Sequence, residues 1–210
     1  MLLRNHPESF CVLILYMTAD IATPVENLIN GCLSGESKSQ ELLYRRFYSF
    51  AMGICVRYCS SREEAVEVLN DGFLKAFTNL KNFDATNQFE PWLKRILVNC
   101  SIDYYRKAKK HYHHDDVTAA RSLETTTATP VGTLNHEELL KLVSGLPTSY
   151  RTVFNLYVIE GYNHKEIAKM MQITEGTSKS NLSRARETLR KHIRTEETHV
   201  LQMSQNEKKK

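Results

Sequence analysis

Residues that interrupt helices are scarce in this chain: 8 glycines and 5 prolines in 210 residues. That scarcity, with long segments of 3.6-residue apolar period, points away from β-rich folds and towards an all-α protein. Cysteine is sparse too. The five cysteines, at 11, 32, 55, 59 and 100, are odd in number and lack framework spacing. They read as reduced core thiols and not as a disulfide scaffold. Cys55 and Cys59 lie one helical turn apart, but no histidine stands beside them at zinc-ligand spacing. Long hydrophobic runs are missing. The one run, Phe10-Cys-Val-Leu-Ile-Leu-Tyr-Met17, is far too short to cross a bilayer as a helix. There is no Gly-rich phosphate loop, no nucleophile elbow and no acid/base pair in a pocket-like context, so neither enzyme chemistry nor a cofactor is expected. The net charge of +4 is too small to identify a partner by itself. The placement of that charge is more telling, because Lys and Arg gather at 94–110 and 179–194.

What is present is a series of capped amphipathic helices. Thr23-Pro-Val-Glu26 has the form of a capping box with Pro at the first helical position, and the helix after it ends near Gly35. A longer helix is expected over about 39–58. Ser61-Arg-Glu-Glu64 forms another box, opening a helix with Val66, Leu69, Phe73, Phe77 and Leu80 on one stripe. Residues 81–88 are rich in turn formers and read as a loop. A helix follows to about 110. From 111 to 134 the periodicity dissolves into a flexible linker, which begins with His111-Tyr-His-His-Asp-Asp116. That cluster has metal-ligating residue types, but closely packed ligands on a flexible segment seldom close a site.

The expected organisation is therefore two small helical domains, at 23–110 and 135–194. Residues 1–22 form an N-terminal extension, with translation expected to begin at Met17, and 195–210 a polar, disordered tail. The second domain opens with a box at Asn135 and Glu138. A helix carrying Val153, Phe154, Tyr157 and Val158 then stops at Gly161.

The most informative stretch begins at Asn163. Asn163 and Glu166 form a capping box, and Ile167, Ala168 and Met171 give the helix an apolar face. Gln172-Ile-Thr174 is a turn, and Thr174 can cap a second helix. In that helix Ser178, Leu182, Ala185 and Leu189 fall on one side, while Thr177, Ser180, Asn181 and Arg184 fall on another. A helix–turn–helix whose second helix is apolar behind and short-polar plus basic in front suits a DNA major groove. The 89–110 helix interleaves Phe89, Trp92, Tyr104 and Tyr105 with Lys94, Arg95, Arg106 and Lys107. That mixture suits single-stranded nucleic acid, with cations on phosphates and aromatic faces on bases. Trp92 lies on the apolar stripe, where a core role competes.

These segments in this order resemble the extracytoplasmic-function (ECF) group of the sigma-70 family of bacterial sigma factors. Ser61-Arg-Glu-Glu-Ala-Val-Glu-Val-Leu-Asn-Asp-Gly-Phe-Leu-Lys-Ala-Phe77 is similar to the family's helix for docking on RNA polymerase core. Phe89-Glu-Pro-Trp-Leu-Lys-Arg-Ile-Leu-Val-Asn-Cys-Ser-Ile-Asp-Tyr-Tyr-Arg-Lys107 resembles the region that opens the −10 element. Residues 146–161 and the helix–turn–helix resemble the region that reads the −35 element.

The resemblance implies core contacts from Glu64, Glu67, Asp71 and Phe73. It implies −10 contacts from Asn82, Phe83, Asn87, Lys94, Arg95, Asn99, Arg106 and Lys107, and −35 contacts from Thr177, Lys179, Ser180, Asn181, Ser183 and Arg184. It further implies promoter DNA and polymerase core as partners, an anti-sigma protein that holds the factor inactive, and a cytoplasmic location. Ser178 stands where the family usually has Val, and its hydroxyl is expected to bond to a carbonyl one turn back. Asn181 replaces a frequent Arg. The alternative is a helix–turn–helix regulator with an N-terminal sensor domain. Against it, the N-terminal half offers an acidic helical surface and a basic-aromatic helix, in place of a ligand pocket or dimer helix.

Overall fold

The computed structural model describes residues 23–111 and 141–207, with side chains described over 23–109 and 141–193. The expectations for the extension before residue 23, for the linker from residue 112 onward with the rest of its His/Asp cluster, and for the Asn135 cap lie outside the described residues. The architecture is helical, with no strand among the described residues.

The first domain holds α1 (Val25–Leu33), α2 (Ser37–Cys55), α3 (Arg62–Asn79), a 3₁₀ turn (Leu80–Asn82) and α4 (Phe89–His111). The helix ends follow local chemistry. Ser61 caps α3, its side chain accepting from the Glu64 amide at 3.2 Å, while the Glu64 carboxylate accepts from the Ser60 amide at 2.7 Å. At α1 the cap position falls one residue after the expected Thr23. Pro24 takes it, and a proline side chain has no polar group to offer the first-turn amides. The Pro24 carbonyl instead accepts from the Asn27 and Leu28 amides. Gly35 (φ 81°) and Gly161 (φ 79°) end their helices in the left-handed region, where a Cβ would be strained.

Leu43, Phe47, Ala51, Leu69, Phe73, Leu93 and Leu97 form the centre of the core between α2, α3 and α4. The four described cysteines, Cys32, Cys55, Cys59 and Cys100, are buried free thiols. Burial, reinforced by neighbouring thiols and carboxylates, pushes Cys55 and Cys59 up to about 12. A thiol held that far from ionisation is a poor nucleophile and a poor metal ligand. No group of His, Cys, Asp or Glu that could hold a metal ion occurs among the described residues.

The second domain holds α5 (Thr148–Phe154), α6 (His164–Met171) and α7 (Glu175–Glu207). α5 widens at its C-terminal end into a π turn over Asn155–Ile159, closed by the Glu160 amide on the Asn155 carbonyl. The wider turn changes the phase of the apolar stripe. Leu156 turns inward at 0% exposure, while Tyr157 and Val158, expected on the inner face, are exposed. α7 stays helical to Glu207, beyond residue 195 where a disordered tail is expected. Residues 195–207 contain neither Gly nor Pro, so nothing local stops the helix.

The two domains are in contact. Val153, Leu156, Ile167, Met171 and Leu182 belong to the same apolar cluster as the first domain's core.

Candidate polymerase and nucleic-acid interfaces

On α3 the residues expected at a protein interface separate into two sets. Glu67 and Asp71 are exposed, one turn apart. Phe73 is not part of that surface: it is 2% exposed and packs against Tyr44 with ring centroids 4.6 Å apart. Its place among core positions Leu69 and Ala76 gives it an interior role, worth about 1.5–3 kcal/mol of burial. Glu64 is half-buried and engaged in the cap. Leu74, absent from the expected set, is 66% exposed. It stands three residues after Asp71 and seven after Glu67, so it shares their face. The signal was visible as an apolar residue on an otherwise acidic stripe.

The loop before α4 is organised by Asp84. Its carboxylate accepts from the Thr86 amide at 3.0 Å, the Thr86 hydroxyl at 2.8 Å and the Asn87 side-chain amide at 3.1 Å. The Thr86 backbone bond and these side-chain bonds hold Asp84 below the usual carboxylate range. Phe83, Phe89 and Trp92 pack as a trio with centroids 5.1–5.7 Å apart. Phe89 is buried, whereas Phe83 and Trp92 are half-buried. Asn82 and Asn87 are exposed beside them.

Along α4, Arg95, Asn99 and Arg106 fall within about 40° of one another at about 100° per residue. Arg95 and Asn99 are exposed, while Arg106 is half-buried and paired with Asp103. Lys75 of α3 reaches the same Asp103 at 3.1 Å. Burial alone would raise Asp103, but the bonds from Arg106 and Lys75 outweigh it and lower the carboxyl. Lys107 is exposed farther round the helix. Lys94 faces elsewhere, with Nζ 2.6 Å from a carboxylate oxygen of Glu160 in the second domain.

The helix–turn–helix matches its expected capping closely. The Asn163 side chain accepts from the Glu166 amide at 3.0 Å, and Glu166 accepts from the Asn163 amide at 2.8 Å. Gln172 makes the turn in the left-handed region (φ 54°). The Thr174 hydroxyl accepts from the Thr177 amide at 3.0 Å and lies 2.8 Å from the Thr177 hydroxyl. Thr177, Ser180, Ser183 and Arg184 are exposed. Lys179 is exposed too and pairs with Glu175 at 2.9 Å.

Asn181 departs from its expected exposed position. It is 7% exposed, on the buried side with Leu182 and Ala185, because it lies at the border between the polar face and the apolar stripe. Ser178 is 0% exposed, and its hydroxyl is 2.9 Å from Nδ1 of His164. That ring, and not the carbonyl one turn back, is its side-chain partner. Arg184 donates to the Tyr150 hydroxyl at 3.2 Å, with its guanidinium 6.0 Å from that ring's centroid. Tyr150 carries no local sequence signal for this role, since it lies 34 residues away.

Both domains match families. Residues 43–111 match sigma-70 region 2, and residues 136–189 match sigma-70 region 4. The ECF RNA polymerase sigma factor SigW of Bacillus subtilis is 32% identical over 152 residues, covering 67% of this chain and 81% of the relative. The chain belongs to the ECF sigma factors. The ECF RNA polymerase sigma-E factor of Haemophilus influenzae is 28% identical to this sigma factor, covering 79% of this chain and 93% of the relative. Among solved structures, the sigma factor RpoE of Bartonella quintana, in complex with the anti-sigma factor NepR, is 22% identical. It covers 72% of this chain and 94% of that one, with a TM-score of 0.45.

A sigma factor binds polymerase core and selects promoters without covalent chemistry, so the exposed faces of α3, α4 and α7 are where its work is to be sought. Among the described residues no helix is long and apolar enough to cross a membrane.

Proposed function

We infer that this sigma factor divides promoter recognition between three helical faces. Glu67, Asp71 and Leu74 on α3 meet polymerase core: the carboxylates face basic groups and the leucine enters an apolar recess. Asn82 and Asn87 hold an extruded −10 base beside the Phe83–Trp92 platform. Arg95, Asn99, Arg106 and Lys107 track the opened strand, joined by Lys94 once it leaves Glu160. Thr177, Ser180, Ser183 and Arg184 face the −35 groove, with Lys179 on a phosphate.

The observation that carries this reading is the polar, exposed front of the helix–turn–helix on a chain whose α4 presents a separate stripe of Arg95, Asn99 and Arg106. One face suits duplex base edges and the other suits phosphates of an opened strand. Binding energy at both elements drives strand separation. The factor works in the cytoplasm with polymerase, and an anti-sigma protein restrains it, as the family resemblance implies.

The test is run-off transcription with core polymerase on a library randomised at −35 and −10. Enrichment of one motif pair at fixed spacing is the expected result. Transcription without motif enrichment overturns the proposed readout.

A further inference from the structure

Four buried polar atoms among the described residues have no hydrogen-bond partner, and all four lie where the two domains meet. They are Nε of Arg57, the hydroxyl of Tyr58, Nε of Arg151 and Oδ1 of Asn155. The same seam is held by specific bonds. Glu160, whose side chain is 4% exposed, receives Arg57 at 3.3 Å and Lys94 at 2.6 Å. Arg151, 2% exposed, donates to the Tyr58 carbonyl at 3.2 Å and the Ser60 hydroxyl at 3.0 Å. The Asn155 side-chain amide donates to the Arg57 carbonyl.

We propose that the unbound sigma factor closes on itself, with Glu160 of the second domain capturing Arg57 and Lys94 of the first, so that Lys94 is withheld from DNA until the domains part. This rests on the reading of Lys94 as a strand contact.

The seam has the make-up of a contact designed to open. Its apolar part, Leu156 against the first domain's core, is combined with one buried cation, Arg151, and with a buried carboxylate, Glu160, held between the partly exposed Arg57 and Lys94; desolvation of Arg151 and Glu160 opposes the attraction gained. The unpaired atoms regain water on separation. Glu160 also stands directly after the π turn, which lets the chain end α5 with this carboxylate aimed at α4. The acidic side chain occupies the cation that a phosphate would take, so a nucleic-acid strand and Glu160 compete for Lys94. Polymerase and promoter therefore select the open form, and their apparent affinity is lowered by the fraction of chain that is closed.

The experiment compares full-length wild type, Glu160→Gln and a control, Glu41→Gln, which removes the same charge from an exposed pair with Arg45. Small-angle scattering reads compactness, and fluorescence anisotropy reads binding of a labelled single-stranded −10 oligonucleotide. Circular dichroism verifies equal helicity, and Glu160→Ala serves as a second variant should Glu160→Gln misfold. The expected result is a larger radius of gyration for Glu160→Gln with a several-fold gain in oligonucleotide affinity, while Glu41→Gln matches wild type in both. Unchanged scattering overturns the closure. Expansion without a gain in affinity overturns the withholding of Lys94, together with its assignment to the strand. An equal gain in affinity for Glu41→Gln overturns it as well, by assigning the effect to net charge.

Discussion

Ser178 Oγ and Nδ1 of His164 lie 2.9 Å apart across the helix–turn–helix, joining the buried side of α7 to the first turn of α6. His164 stacks in turn on Tyr157, with ring centroids 4.6 Å apart. The pair fixes the angle between the two helices with a polar contact at a position where the family usually has an aliphatic one. It also accounts for a hydroxyl at a site with no exposure.

Ser178→Ala removes that bond and leaves a small void. A loss of about 1 kcal/mol in unfolding free energy is expected, measured by urea denaturation followed by circular dichroism. An unchanged midpoint would show that the contact contributes nothing.

On α3, Leu74→Ser should weaken binding to polymerase core while shifting stability by no more than about 0.5 kcal/mol, since the side chain is mostly exposed. Asp71→Lys should do the same with helicity intact. Native co-purification with core checks both. If the two variants are retained as well as wild type, the docking face lies elsewhere.

The two arginine assignments differ in what they should change. Arg184→Ala should cost about 1–3 kcal/mol at a single −35 position. Arg106→Ala should weaken binding across sequences and lower the salt slope by about one ion. Tyr150→Phe, which removes the hydroxyl bonded to Arg184, should reduce discrimination at the Arg184 position and leave the salt slope alone. Titrations on matched and single-mismatch sites across salt separate these outcomes. Equal losses on all sites for Arg184→Ala would refute base readout.

Much of this was legible in the sequence because capping and periodicity are local. Asn163 with Glu166, Thr174 at the turn and the α4 helix all follow from residues within one or two turns of each other. What was not legible depends on distance. Glu160 meets Lys94 across 66 positions of sequence, and Arg184 meets Tyr150 across 34. Tyr157 and Val158 leave the apolar stripe because a 3.6-residue period cannot foresee one π turn. Motif position alone assigns Phe73 to the docking face, whereas its spacing from Leu69 and Phe77 places it in the core, where it lies.

The buried thiols give a pH prediction. Cys55 and Cys59 ionise near 9 in the unfolded chain and are pushed up to about 12 in the fold. The folded state therefore holds protons that the unfolded state has released. Their contribution is fully present below about pH 9 and is lost as pH rises towards 12. Urea midpoints should fall across that window, and alkylation of both thiols at pH 8 should be limited by opening of the fold. Rapid stoichiometric labelling of the native protein would contradict the burial.

At Gly72 α3 packs directly against Leu97 of α4. A Cβ there would lie 2.5 Å from Cδ2 of Leu97, a side chain with 0% exposure. Leu97 cannot swing away into solvent, so either its rotamer or the helix spacing must yield. Gly72→Ala normally favours a helix by about 0.5–1 kcal/mol, while overpacking of this kind costs about 1–3 kcal/mol. The overpacking term is the larger, so the substitution should destabilise the protein. It should also shift the α4 stripe of Arg95, Asn99 and Arg106 relative to the α3 docking face, impairing promoter opening more than core binding. Leu97→Ala in the same chain makes room for the new methyl, and the double variant should recover part of the lost opening activity in a permanganate footprint. A stabilised Gly72→Ala protein with normal opening would mean that the two helices separate at little cost.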